Sequence, residues 1–137
     1  MNSIQTFRIY YEDTDAGGVV YYAGYLRFLE RARTEVLRGL GFEQARMLRE
    51  NRIVFAVRSL SVEYLKPARL DDLVEVTSAI MKLGRAQVFF QQQIARQGEV
   101  LLDAQVRVAC LDPLRDKPIA IPKDIYEKLK ALMGVPA

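Results

Sequence analysis

Histidine is absent from the sequence, and with it every mechanism that rests on imidazole: Ser-His-Asp and Cys-His hydrolysis, and any dehydratase that needs a catalytic His. Cysteine occurs once, as Cys110, so no internal disulfide can form and no zinc-site spacing of Cys and His exists. That usage suits a reducing, cytoplasmic compartment. No apolar run approaches about 18 residues, and Met1-Asn2-Ser3-Ile4-Gln5-Thr6 lacks the charged head and apolar core of a cleaved signal. A soluble chain that is not exported by such a signal is expected. A basic stripe is missing as well. The 20 Lys and Arg are interspersed with 17 acids, for a net charge of +3 and an isoelectric point near 9.1; this argues against nucleic acid as a partner and slightly favours small anionic ligands.

What is present reads as one domain over residues 1–137. Half of the residues are hydrophobic, enough at this length for a single core, and no linker, repeat or low-complexity tract divides the chain. Period-two alternation from Thr6 to Tyr11 predicts a first strand. Tyr25, Phe28, Leu29, Ala32, Val36 and Leu40 then follow helical spacing, predicting a helix from Ala23 to about Arg38 with Gly39 and Gly41 as caps. Glu43 to Glu50 reads as a satellite helix. Strands are expected over 53–65, with Val54, Ala56, Leu60, Val62 and Tyr64 on one face, and over 73–83, 86–96 and 100–112. In the last, Val100 through Cys110 alternate against Asp103, Gln105 and Arg107, which makes Cys110 a core residue. A terminal helix carries Ile125, Leu129, Leu132 and Met133, closed by Gly134. The class is α+β: a strand, a long helix, a four-stranded antiparallel meander and a short helix. One face or edge of the sheet is left for a partner. Arg58 interrupts the apolar face of its strand and is expected to pair with a helix acid such as Glu30.

The densest chemistry lies in Tyr10 to Tyr25, where Asp13 and Asp15 precede Gly17-Gly18 and a helix start. A calcium loop beginning at Asp13 needs an oxygen ligand at its fifth place and glutamate at its twelfth, and finds Gly17 and Gly24. A phosphate loop needs Lys-Ser or Lys-Thr after the glycines, and neither is there. What remains is a carboxylate near a helix N-terminus. In isolation such an Asp is usually a cap or a turn former, but Asp15 lies well before Ala23, and an acid held against Val19-Val20-Tyr21-Tyr22 would tend toward a raised pKa.

The run Tyr11-Glu12-Asp13-Thr14-Asp15-Ala16-Gly17-Gly18-Val19-Val20-Tyr21, with Tyr25-Leu26 and Glu30-Arg31-Ala32-Arg33-Thr34-Glu35, resembles the signature of hotdog-fold acyl-CoA thioesterases. Within them it is most similar to the Tol-Pal-associated type of the 4-hydroxybenzoyl-CoA thioesterase family. The likeness continues through Val62-Glu63-Tyr64, Pro67-Ala68-Arg69-Leu70-Asp71-Asp72 and Asp112-Pro113-Leu114, nearly the whole chain. It implies a curved antiparallel sheet around one long helix, and homodimers whose sheets join edge to edge, often paired into homotetramers. The acyl group then lies between subunits. It further implies hydrolysis of acyl-CoA without a cofactor or metal, with Asp15 as nucleophile or general base, Gly17 and Gly18 shaping the turn, and the Tyr22 backbone N–H polarising the thioester carbonyl. Asp13 is structural on this reading. The chain departs from many members of that branch, which carry His where Tyr22 stands; a backbone N–H does not depend on the side chain.

Candidate partners for the CoA phosphates are Lys66 and Arg69 in the Pro67 loop and Lys82 and Arg85 around Gly84. Acyl carrier protein is the alternative carrier. A non-catalytic module binding acyl-CoA or acyl carrier protein beside an envelope assembly, peripheral at the inner membrane, is the alternative function. Retention of Asp15 and the glycine turn favours the enzyme.

Overall fold

The computed structural model describes residues 3–133. Strand β1 (Ser3–Arg8) leads through two short 3-10 turns, Tyr11–Asp13 and Tyr22–Gly24, into helix α1 (Tyr25–Gly39). Helix α2 (Gln44–Arg46) continues as a wider π turn, Met47–Asn51, into β2 (Val54–Tyr64). Then come β3 (Leu73–Leu83), β4 (Gln87–Arg96), β5 (Glu99–Asp112), the short β6 (Lys117–Pro118) and helix α3 (Lys123–Met133). Gly134, expected to close α3, lies outside the described residues.

Helix α1 buries Tyr25, Phe28, Leu29, Ala32, Val36 and Leu37 along one stripe. Its end is a Schellman turn: Gly41, at φ 95, donates its N–H to Arg38 O at 2.9 Å, and Phe42 donates to Leu37 O at 2.9 Å. Gly41 is therefore the cap, and Gly39 is simply the last helical residue. At the other end β1 stops earlier than its alternation suggests. Asp13 accepts the Tyr10 N–H at 2.8 Å on Oδ2 and donates its own N–H to Tyr10 O at 3.0 Å, turning the chain out of the sheet. Asp13 is structural, as expected.

All six strands form one antiparallel sheet, curved around α1 as in a half-barrel, in the order β1-β3-β4-β5-β2 with β6 on β5. The expected four-stranded meander is thus corrected: of its four strands only β3, β4 and β5 pair in sequence order, and β2 lies on the far side of β5. The connection 65–72 is too long for a hairpin and crosses the sheet end, with Leu65 and Lys66 both donating to Leu101 O. It carries β2 to the far edge, beside β5.

The concave face is the core. Val74, Val76, Ile80, Val88, Phe90, Ile94, Leu102, Ala104, Val106 and Cys110 pack there against α1 and α3. Cys110 is fully buried, and burial pushes its thiol up to about 11. Val100 does not continue that face, because Ile94 opposes Leu102 while Ala95 opposes Val100, leaving Leu101 as an inserted residue. In β2 the same device has a larger effect. Val57 faces Val108 but Ser59 faces Arg107, so Arg58 is an extra residue in the strand. A one-residue insertion reverses side-chain parity. Phe55 and Val57 therefore join Leu60, Val62 and Tyr64 on the concave side, and Val54 and Ala56 face the other way, correcting the face read from the sequence. Arg58 is exposed and makes no ion pair with Glu30 or any other described residue.

Candidate functional site

The acidic glycine stretch closes into a small loop. Asp15 donates its N–H to Val19 O at 2.9 Å, Gly18 donates to Asp15 O at 3.0 Å, and Gly17 donates to Asp15 Oδ1 at 2.8 Å. Gly18 sits at φ +77 with open space around it, whereas a Cβ on Gly17 would stand 3.3 Å from Asp15 Oδ1. The loop is stitched to the 65–72 connection: Val20 donates to Ala68 O at 2.9 Å, and Val19 pairs with Arg69. Asp15 is exposed, and so are Tyr21 and Tyr22. The apolar enclosure expected around the acid is therefore not formed by one chain. The carboxylate is held by one oxygen, and among the described residues nothing donates to the other, Oδ2.

Tyr22 opens the 3-10 turn that leads into α1, and its N–H has no acceptor among the described residues. Such orphan donors at a helix start are suited to an oxyanion. The turn is fixed by tyrosines that the sequence reading did not assign to the site. Tyr64, at the end of β2, donates its hydroxyl to Tyr22 O at 2.7 Å, and Ala68 donates its N–H to the Tyr25 hydroxyl at 2.9 Å. The Tyr64 ring meets Tyr22 edge-on and Tyr25 at a tilt. Burial, then the neighbouring Tyr22 and Tyr25, hold the Tyr64 hydroxyl above its usual range, so it stays a donor at neutral pH. The only signal in the sequence was a tyrosine closing an apolar strand just before Leu65-Lys66-Pro67. A cleft of about 250 Å³ lies beside the helix start, lined by Val20, Tyr22, Tyr25, Tyr64, Lys66 and Pro67 among others.

The four cations proposed for CoA divide. Lys66 lines the cleft and is paired to Glu99 at 2.6 Å on the surface. Arg69 adjoins the glycine loop and is exposed, and its charge acts on the nearby Asp72 carboxylate. Lys82 sits over the Phe89 ring at 5.4 Å, and Arg85 is exposed by the Gly84 turn. Strand β3 separates that turn from the glycine loop by roughly 33 Å at ~3.3 Å per residue. Asp15, Gly17, Gly18, Tyr22, Lys66 and Arg69 thus lie at one end of the sheet, and Lys82 and Arg85 at the other.

Residues 17–102 match the family model of the Thioesterase superfamily. The chain belongs to this superfamily. It is 49% identical over 124 residues to the acyl-CoA thioester hydrolase YbgC of Escherichia coli O6:H1, covering 90% of this chain and 92% of that one. It is 48% identical to the acyl-CoA thioesterase YbgC of Haemophilus influenzae, covering 86% and 87%. Among solved structures, a probable thioesterase from Bartonella henselae superposes with a TM-score of 0.85 at 33% identity, over 89% of this chain and 100% of that chain. The fold of this thioesterase is the hotdog fold, as the resemblance implied. Among the described residues no helix is long and apolar enough to cross a membrane.

Proposed function

We propose that this thioesterase hydrolyses acyl-CoA to free acid and CoA, with Asp15 as nucleophile or general base and the Tyr22 N–H as oxyanion donor. The observation that carries the reading is the pairing of a carboxylate anchored through Oδ1, with Oδ2 free, and an unengaged N–H at a helix start on the same edge of the fold. A thioester demands little more. Its leaving group is a thiolate whose conjugate acid has a pKa of roughly 8.5, so no strong general acid is required, and one oxyanion donor is worth about 3 to 4 kcal/mol. Either Oδ2 attacks the carbonyl carbon, expelling thiolate and leaving an anhydride for water to open, or Oδ2 takes a proton from water as that water attacks.

We further propose that the protein is a homodimer or homotetramer, that acyl carrier protein is an alternative carrier, and that it works beside the Tol-Pal assembly at the inner membrane. The dimer has a specific observation in its favour, because β2 is an edge strand with Val57, Leu60 and Tyr64 exposed. Two copies of β2 paired antiparallel about a two-fold axis run in opposite directions. The Asp15 end of one chain then meets the Gly84 end of its partner. Lys82 and Arg85 serve the CoA held at the partner's site on this arrangement, and Arg69 serves its own.

Steady-state hydrolysis of several acyl-CoAs by Asp15→Asn tests the central assignment. A loss of at least about a hundredfold is expected with an unchanged unfolding midpoint, as for removal of a group acting in the transition state. Near wild-type turnover would overturn it. Tyr22→Phe keeps the backbone donor and is expected to stay within about threefold of wild type on the same footing.

A further inference from the structure

The Tyr22 N–H is useful only in the direction it points, and two peptide planes set that direction. The first joins Tyr21 C=O to Tyr22 N–H, and in a trans peptide the two point opposite ways. Tyr21 O accepts the Gly24 N–H at 2.7 Å inside the 3-10 turn, so the Tyr22 N–H is turned away from it. The second plane carries Tyr22 O, which accepts the Tyr64 hydroxyl at 2.7 Å. One anchor is therefore local, a single i to i+3 bond in a three-residue turn, a bond of poorer geometry than that of an α-helix. The other comes from a strand 42 positions away.

Tyr64 is well placed to hold its end. It is the last residue of β2, paired with Leu102, and the next residue donates its N–H to Leu101 O at 2.8 Å. Its ring stands against two others, edge-on to Tyr22 at 6.5 Å and tilted to Tyr25 at 5.7 Å. Tyr25 is fixed in turn, since it is buried and its hydroxyl accepts the Ala68 N–H at 2.9 Å. A side chain on a strand, with its rotamer locked by packed neighbours, orients what it touches more tightly than a loop does. Stability alone is a thin reason for the contact. Tyr64 is 46% exposed, and in water such a hydrogen bond is largely exchanged for one to solvent.

We infer that Tyr64 is a positioning residue for the hydrolysis: its hydroxyl, by holding the carbonyl of Tyr22, aims the N–H of the same residue at the thioester oxygen. The inference rests on the acyl-CoA reading above, with Tyr22 as the oxyanion donor. Tyr64 touches no reacting atom. It matters when negative charge gathers on the substrate oxygen, because a donor already in place acts most strongly in the transition state. A donor left to swing on the turn's one remaining bond loses alignment, and small misplacements lower the rate steeply. The effect falls on kcat and spares KM.

Tyr64→Phe removes the hydroxyl and keeps the ring between its neighbours. With an acyl-CoA, kcat is expected to fall about tenfold, with KM within about twofold of wild type and a nearly unchanged unfolding midpoint. A second substrate separates aim from architecture: the dithioester analogue of the same acyl-CoA, in which sulfur replaces the carbonyl oxygen and accepts hydrogen bonds weakly. The ratio of kcat/KM for oxygen over sulfur is taken for each protein, so the intrinsic reactivities of the two substrates cancel in the comparison. Tyr64→Phe is expected to lower that ratio at least about threefold, since the oxygen substrate draws more from an aimed donor. An equal loss on both substrates would show a merely structural hydroxyl and overturn the inference, as would a wild-type kcat in the variant. Asp15→Asn, assayed alongside, keeps the two readings apart. If it is inactive while Tyr64→Phe is unaffected, the role of Tyr64 falls and the hydrolase stands; a wild type that cleaves no acyl-CoA overturns both.

Discussion

Gly17 and Gly18 are neighbours with different reasons to be glycine. Gly18 holds a left-handed backbone with open space around it, so Ala there meets only the backbone penalty of about 1–2 kcal/mol. Gly17 is not in that region, but its Cβ would press on Asp15 Oδ1 at 3.3 Å, the oxygen that anchors the carboxylate. Gly18→Ala is therefore expected to lower the unfolding midpoint while leaving kcat of the folded protein near wild type. Gly17→Ala is expected to keep the midpoint and lower kcat by about tenfold, since a misdirected catalytic group loses rate steeply with small displacements. Calorimetry and steady-state rates on the same samples separate the two, and the reverse pattern would count against Asp15. Asp15 itself was legible from the acids and glycines around it. Its exposure was not, because the apolar residues following it in sequence do not fold over it within one chain. Tyr64 was hidden for a related reason: its role is a contact to a carbonyl 42 positions away, which no local pattern announces.

Among the elements, the 65–72 connection holds the site together. Its last residue, Asp72, accepts the Arg69 N–H at 2.8 Å and Arg96 Nη1 at 2.6 Å, and Arg96 reaches on to Glu99 at 3.0 Å. Burial pushes the Asp72 carboxyl up, but the Arg69 N–H and the Arg96 guanidinium outweigh it, so the folded value is lowered. A lowered acid contributes stability above its unfolded pKa, and that stability is lost as pH falls through the folded value. The unfolding midpoint is accordingly expected to hold steady above about pH 5 and to decline below about pH 4. Asp72→Asn should lower the neutral-pH midpoint and flatten that decline; an unchanged acid limb would remove Asp72 as its source. Strand and helix identities were readable because period and caps are local. The inserted Arg58 was not, since a bulge is set by pairing with β5, and it flipped the assignment of Val54, Ala56, Phe55 and Val57 to faces. Placing β2 beside β3 failed likewise, because neighbouring in sequence implies pairing only where the link is a tight turn.

For the whole molecule, the open question is what covers β2, an edge strand without Pro or Lys and with apolar residues exposed. Such an edge invites another strand, and a second copy accounts for three observations at once: the bare edge, the uncovered Asp15, and the cations stranded at the Gly84 end. Leu60→Lys is expected to yield monomers by light scattering and to reduce hydrolysis by about a hundredfold with the secondary structure intact, as loss of the partner's share of the site requires. A sharper experiment asks whether sites are shared between chains. Asp15→Asn and Arg85→Glu are each made separately, mixed, unfolded and refolded together, then assayed at low acyl-CoA concentration. In a mixed dimer the Arg85→Glu chain supplies Asp15 and the Asp15→Asn chain supplies Arg85, which completes one site of the pair. Half of the dimers are mixed at random, so about a quarter of wild-type activity should return if Arg85 acts across the two-fold axis. If Arg85 serves the Asp15 of its own chain, the mixture stays at the mean of its two components, and the edge-to-edge arrangement through β2 does not explain how the site is built.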